Sequence, residues 1–355
     1  MIKLIVKKIF YGLLVLFGVT VLVFFLFQGF GDPSRIVAGQ SSDSATQANI
    51  RRELYLINEK GENIPKFKQF LFYLNDISPI CFHSKADITK KDLKGIFIGG
   101  KTKFGLKIPY LRKSYQTKRP VWGILMQTLP GTLMLAIAAM FIAMLIGIPL
   151  GVMAAVKQNT WLDTSAIFSS IVGISAPSFF MGIIMVYVFG FVLSDWTGLN
   201  IAGSWQAIDE VTGQKRLSLQ NLILPAITLG IRPLAIITQL TRSAMLDVLD
   251  QDYIRTAYAK GLSKRQVIWK HGLRNALNPV ITAITGWFAE LLAGAFFVEY
   301  IFNWHGLGKV TVDALEKLDY PVVMGAVLVA ATFFILVNIL ADILYGVVDP
   351  RVRVE

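Results

Sequence analysis

Residues 253–282 read YIRTAYAKGLSKRQVIWKHGLRNALNPVIT, a basic, small-residue segment set between apolar runs at about 222–243 and 276–300, each long enough to cross a bilayer. Its internal pattern is a helix, a tight turn and a second helix. Arg255 to Lys260 reads as a short helix stopped by Gly261, the residue that takes a left-handed C-terminal cap most easily. Ser263 and Gln266 then form a capping-box pattern that opens the second helix through Val267, Ile268 and Leu273. Ala257, Ala259 and Gly261 predict one face nearly free of side chains, where another protein's backbone can come close. An ordinary basic loop between two spans would share the charge.

The rest of the chain fits a membrane setting. It is 54% hydrophobic and 16% charged, too apolar for a soluble protein of this length. The net charge of +12 is read as topogenic or as facing anionic headgroups, and not as a nucleic-acid footprint. Cys81 is the single cysteine, so there is no intrachain disulfide, and with histidines only at 83, 271 and 305 no metal site is expected.

Lys3, Lys7 and Lys8 precede an apolar run from Ile9 to about Phe30, longer than the roughly 7–15 residues of a signal-peptide core, so a retained first helix is predicted. Further runs lie at about 128–155, 163–194, 222–243, 276–300 and 321–347. The fold class read from this is all-α, an integral membrane protein of six transmembrane helices with cytoplasmic helices at 244–275 and a small extracytoplasmic domain after the first helix. The parts are residues 1–30 (tail and first helix), 31–121 (outer domain) and 122–355 (membrane core with the 244–275 loop). The Lys and Arg of the short loops fall with both termini, which places both termini in the cytoplasm. The outer segment is also basic, but loops beyond about 60 residues translocate largely regardless of charge.

Within that segment, Lys66 to Leu74 is an amphipathic helix candidate. Gly99-Gly100-Lys101-Thr102 mimics the end of a phosphate loop without its upstream glycine or strand, so no nucleotide site is read there. Residues 195–221, with Gly198, Gly203 and a Gly213-Gln214 turn, suit an irregular or hairpin excursion.

Two charges stand deep in the apolar runs. Arg232 and Glu290 both fall roughly 14–15 Å below the outer boundary, counted at 1.5 Å per residue. An unpaired charge there costs at least about 2.5–3.5 kcal/mol, so they are read as an interhelical pair or as contacts to the charged ends of a transported molecule. Asp342, nearer the inner boundary, is expected to hydrogen-bond locally.

The strings Asp252-Tyr253-Ile254-Arg255-Thr256-Ala257, Ala259-Lys260-Gly261-Leu262, His271-Gly272-Leu273-Arg274-Asn275-Ala276 and Pro279-Val280 resemble the coupling loop of the bacterial dipeptide, oligopeptide and nickel ATP-binding-cassette importer permeases. Gly31-Asp32-Pro33, Gly147-Ile148-Pro149-Leu150-Gly151, Thr241-Arg242-Ser243-Ala244-Met245-Leu246, Glu299-Tyr300-Ile301-Phe302, Gly306-Leu307-Gly308, Asp319-Tyr320-Pro321 and Asp349-Pro350-Arg351 extend the likeness to that family's first-type subunit, with 77–105 standing out as an insertion.

The resemblance implies a half-channel paired with a second homologous permease. It further implies two cytoplasmic ATPase subunits that bind ATP and Mg, and an extracytoplasmic peptide-binding protein. On this likeness Arg255, Thr256, Ala257, Ala259, Lys260, Gly261, Leu262 and Ser263 form the ATPase-coupling surface, with no catalytic residue and no cofactor in the chain itself. Nickel or another small solute is the alternative cargo. An ion-coupled secondary transporter is disfavoured because no internal repeat is visible, and a membrane-embedded enzyme because no His-Glu-x-x-His or Gly-x-Ser-x-Gly pattern occurs.

Overall fold

A computed structural model describes residues 2–29, 48, 51–52, 54–58, 60–100, 102–204, 206–208 and 215–348. The Gly31-Asp32-Pro33, Lys101, Gly213-Gln214 and 349–355 positions named above lie outside them. In chain order the elements are α1 (Ile2–Gly29), α2 (Lys66–Ile77), β1 (Ile80–Ser84), α3 (Lys85–Lys91), β2 (Gly95–Ile98), β3 (Thr102–Lys107), α4 (Val121–Val156), α5 (Trp161–Ser175), α6 (Ser178–Tyr187) and α7 (Ser194–Thr197). A two-stranded hairpin, β4 (Gln206–Ile208) with β5 (Lys215–Leu217), precedes α8 (Gln220–Leu249), α9 (Asp252–Ala259), α10 (Lys264–Gln266), α11 (Leu273–Ile301), α12 (Leu307–Glu316) and α13 (Tyr320–Val348). Among the described residues the fold is helical apart from this hairpin and a three-stranded sheet of β1, β2 and β3.

Among the described residues four helices are long and apolar enough to cross a membrane, and six if each of two bent pairs is one span. The expectation of an unbroken span over 163–194 is corrected: α5 and α6 meet at 110°. Ala176 is extended (ψ 128°) before Pro177, the proline N-cap of α6, because a residue preceding proline is driven out of the helical region.

The chain divides into two compact units, one of residues 1–10, 128–309 and 332–355, the other of 11–127 and 310–331. The first unit is built on backbone proximity between α4 and α8. A Cβ added at Gly147 would lie 3.0 Å from the Leu234 carbonyl oxygen, at Gly151 2.6 Å from that of Thr238, and at Gly230 2.8 Å from that of Ala139. Small residues spaced by four bring two helices into contact where lipid supplies no hydrophobic force of its own. Around that seam Leu135, Ala139, Leu224, Ile237, Val280, Leu291, Ala295 and Val298 form one apolar core.

The same unit holds a buried polar knot. Glu299 is fully buried, and its carboxylate accepts from the Thr132 hydroxyl at 2.6 Å and from the Gly308 and Lys309 amides at 2.6 and 3.1 Å. Thr132 in turn accepts from the Leu307 amide at 2.7 Å, so the first turn of α12 has its free N–H groups satisfied by side chains. Gly306 lacks a Cβ because the Glu299 carboxyl group fills that space. Asp342, expected to bond locally, instead pairs with Lys8 of α1 at 2.8 Å.

In the second unit α2 packs along α1, with Tyr73 stacked on Phe24 at 5.4 Å, Phe70 against Phe24 and Phe17 at 5.3 and 6.2 Å, and Gln28 donating to Gln69 at 2.5 Å. The sheet has the order β1-β3-β2, antiparallel throughout, and with α3 it is built mainly from the 77–105 segment. Of the phosphate-loop mimic, Gly99 and Gly100 follow β2, Gly99 at φ 123°, and Thr102 opens β3 where a phosphate loop would lead into a helix. Asn75 clamps α2 to β1 by donating to the Phe82 carbonyl at 2.8 Å and accepting from its amide at 2.9 Å. Buried Asp76 accepts from Lys91 at 2.6 Å and Tyr55 at 3.1 Å; burial, then Asp76, pushes the Tyr55 hydroxyl above its ordinary range. In the same unit Asp319, just before α13, accepts from the Tyr115 amide at 2.8 Å and the Ser114 hydroxyl at 2.5 Å.

Two predictions follow from these buried groups. Replacing Glu299 with Ala strands three donors at about 1–3 kcal/mol each, so thermal stability in detergent and membrane abundance fall sharply, and Gly306→Ala falls with it; near-normal melting of both variants would refute the knot. For His83, burial first and then Lys91 hold the imidazole below its usual range, against a weaker pull from Asp76. The unfolded chain then takes up the proton first, so this stability is complete above about pH 6.5 and is lost as pH falls below it. Hydrogen exchange in β1 and β3, corrected for intrinsic rates, should show less protection at about pH 5.5 than at about pH 7.5. That difference should shrink in His83→Gln.

Candidate coupling hairpin and charged pair

The hairpin forms as its caps dictate. Helix α9 ends with Gly261 at φ 77°, the Leu262 amide donating to the Ala257 carbonyl at 3.3 Å and the Gly261 amide to the Tyr258 carbonyl at 2.9 Å. These two bonds define a Schellman cap, and Leu262 packs beside Ala257 as that motif requires. Ser263 and Gln266 close a capping box, the serine hydroxyl accepting from the Gln266 amide at 3.4 Å and the glutamine oxygen from the Ser263 amide at 3.3 Å.

One feature of the sequence reading is corrected. Ala257 is not on the open face: with Ile254 one turn before it and Val267 opposite, it fills the hairpin's own apolar core. Arg255, Thr256, Ala259, Lys260, Gly261 and Ser263 are exposed and Leu262 is half-buried, so the outward face is basic and polar, with Tyr258 among the exposed groups. The Arg255–Asp252 contact at 3.4 Å is itself fully in the open and adds little.

Beyond α10 the chain does not pause before the fifth span. A π-helical stretch, Val267–Gly272, runs directly into α11, so the hairpin's second arm and the span form one rod as far as Leu292; there the run expected over 276–300 bends by 53° into Ala295–Ile301, a correction to an unbroken fifth span. The rod is seated on Val152 and Ala155 of α4 and Ala244 and Met245 of α8 through Ile268 and Ala276. Nearby on α8, Arg242 grips Asp163 of α5 with two bonds of 2.5 and 2.8 Å, and buried Asp163 also accepts from the Asn159 amide at 3.0 Å. Sequence reasoning quoted Arg242 and Glu299 only inside family strings and gave neither them nor Asp163 a role. The available signal was an acidic residue inside an apolar run, the same signal that picked out Glu290.

Arg232 and Glu290 do come together, at 3.5 Å, and the guanidinium lies 5.4 Å from the centre of the Trp287 ring. They are not buried: the side chains are 52 and 51% exposed, turned away from their unit's core.

A family model described as the inner membrane component of binding-protein-dependent transport systems matches residues 147–354. The chain belongs to that family of multi-pass inner-membrane transport proteins, with the apolar helices the family requires. The dipeptide transport system permease protein DppB of Haemophilus influenzae is 44% identical over 254 residues, covering 68% of this chain and 76% of its own. Its Escherichia coli counterpart is 37% identical over 95% of this chain and 94% of its own. The Escherichia coli glutathione transport system permease protein GsiC is 34% identical over 99% of both.

The orientation of Ala257 separates two kinds of variant. Ala257→Glu buries a carboxylate among Ile254, Val267 and Leu262 and should lower the abundance or melting temperature of the protein, whereas Ala259→Glu should leave both unchanged. Gly261→Leu forces a branched side chain into the left-handed region at about 1–2 kcal/mol. Equal stability of Ala257→Glu and Ala259→Glu would contradict the packing.

Proposed function

We propose that this chain is the half-channel of an importer for di- or oligopeptides, driven by two cytoplasmic ATPase subunits that bind ATP and Mg. A second homologous permease completes the channel, and an extracytoplasmic peptide-binding protein delivers the cargo. Both termini and the hairpin lie in the cytoplasm, and the segment between α1 and α4 lies outside. The observation that carries this reading is the hairpin fused to a membrane span. A push on Arg255, Thr256, Ala259, Lys260, Gly261, Leu262 and Ser263 passes through Ala257 and Val267 into α11 without an intervening flexible link. Rigid-body rocking of the two permeases then exposes the path to alternate sides.

Arg232 and Glu290 supply the chemistry of the path. A peptide in its usual ionic form carries a carboxylate at one end and an ammonium at the other. A guanidinium and a carboxylate 3.5 Å apart, half-exposed beside an aromatic ring, offer one partner to each end. The pair satisfies itself when the path is empty, which avoids the cost of a lone charge at that depth. Nickel is the alternative cargo, and a guanidinium 3.5 Å from the carboxylate works against holding a cation there.

Transport of a labelled dipeptide into vesicles holding the whole assembly tests this. Arg232→Met and Glu290→Gln should each cut uptake by about tenfold, near 1.4 kcal/mol, at unchanged abundance and melting temperature, and the double variant should not recover it. A purely interhelical role predicts the reverse: stability lost in each single variant and regained in the double. Uptake of nickel but not of dipeptide by the wild type would replace the cargo.

A further inference from the structure

The three-stranded sheet is the wrong way round for a module surrounded by water. Its register places Ile80 across from Leu106 and Phe82 across from Phe104, with Ile96 and Ile98 flanking the same two residues from the other edge. Side chains alternate with a period of two, so these six share one face. All six are 51–73% exposed, whereas Cys81, His83 and Lys107 on the opposite face are at most 5% exposed. A polar and cationic set is packed inside and an aliphatic and aromatic set is turned out. A contiguous apolar face of this kind marks a contact surface.

Three observations identify what it contacts. The sheet is fixed to α2 by the Asn75–Phe82 clamp. Helix α2 is fixed in turn to α1 by contacts running from Phe17 to Gln28, eleven residues or about 16 Å of a helix whose apolar run Val6–Gln28 has membrane length. The module is therefore held alongside the bilayer portion of α1, and Phe67 and Leu71 of α2, one turn apart, are themselves exposed. Finally, Lys85, Lys90 and Lys94 of the same module are exposed against exposed Asp92, a positive excess on its surface, while Lys107 is packed inside. Apolar side chains framed by lysines are the composition of surfaces that settle into the headgroup layer of an anionic membrane.

We infer that this sheet face is a lipid-docking surface, seated with Phe67 and Leu71 in the headgroup and upper acyl region of the adjoining leaflet and favouring anionic lipid. The exposed Lys85, Lys90 and Lys94 supply stems long enough to extend to the phosphates, as long cationic side chains do at such boundaries. The surface limits the swing of a module tethered to spans at both ends. It does not depend on the cargo or on which side of the membrane the module occupies.

The experiment uses the full-length chain in vesicles of phosphatidylethanolamine and phosphatidylglycerol, with an environment-sensitive fluorophore on Ile98→Cys and, for comparison, on Lys60→Cys. Cys81 is fully buried and its thiol is pushed up by burial, so it stays unlabelled while the module is folded and serves as the fold control. At position 98 the fluorophore should be quenched by headgroup-proximal doxyl lipids and shielded from iodide, more so than at position 60. Exchanging phosphatidylglycerol for phosphatidylcholine should weaken that quenching, and adding Ile96→Asp should abolish it with Cys81 still protected. If the aspartate variant exposes Cys81, the lipid exchange alone decides. Quenching by iodide without quenching by lipid would put the face in water, and shielding from both would mean that protein, such as a second copy, covers it; either result overturns the inference.

Discussion

The backbone contact of α4 with α8 governs the membrane core. In lipid, helices gain little by hiding apolar side chains from one another, so association rests on how closely their surfaces fit. Gly147, Gly151 and Gly230 remove the side chains that would hold the two axes apart, and the carbonyls of Leu234, Thr238 and Ala139 occupy the space. The cytoplasmic ends of both helices, as assigned under the proposed topology, are thereby brought side by side. The seat for Ile268 and Ala276 is made from the two ends together, so it exists only while the glycine seam is closed. Every larger residue along that seam therefore acts on the hairpin at a distance.

Glu290 and Glu299 lie on the two arms of one bent helix, nine residues apart, the first half-exposed and the second fully buried. Glu299 has three donors, no exposure and a glycine cleared to make room, the arrangement of a residue that holds a helix start in place. Glu290 has one cation at 3.5 Å and an open side. A carboxylate with unused acceptor positions on an accessible face is equipped to exchange partners, whereas a saturated one is not.

How much of this was legible in the residues depended on whether the information was local. The Schellman cap at Gly261 and the Ser263–Gln266 box are written within a few positions, and they formed as read, whereas two of the six apolar runs formed bent helix pairs. The break at Pro177 was also local and was overridden by the hydropathy of the surrounding run. Ala257 faces inward because Val267, ten residues on, completes a core with Ile254, and only the folded hairpin reveals that phase. The Lys8–Asp342 pair joins the two ends of the chain, and the small sheet depends on the pairing of three strands, so neither could be read from spacing alone.

The uninterrupted run from Lys264 into the fifth span also makes the hairpin a timing element for the residues above it. One turn of α-helix takes 3.6 residues, so adding or deleting a single residue between Gln266 and Leu273 rotates everything beyond it by about 100°. Such a change would leave the hairpin's caps intact and still swing Glu290 out of register with Arg232. The wide π turn at Val267–Gly272 already contains one residue more than a regular turn would hold, a form of winding that helices accommodate as a local bulge. The angular setting of the charged pair is thus fixed by residue count in a segment more than fifteen positions away, a length constraint that has nothing to do with the identity of the side chains in between.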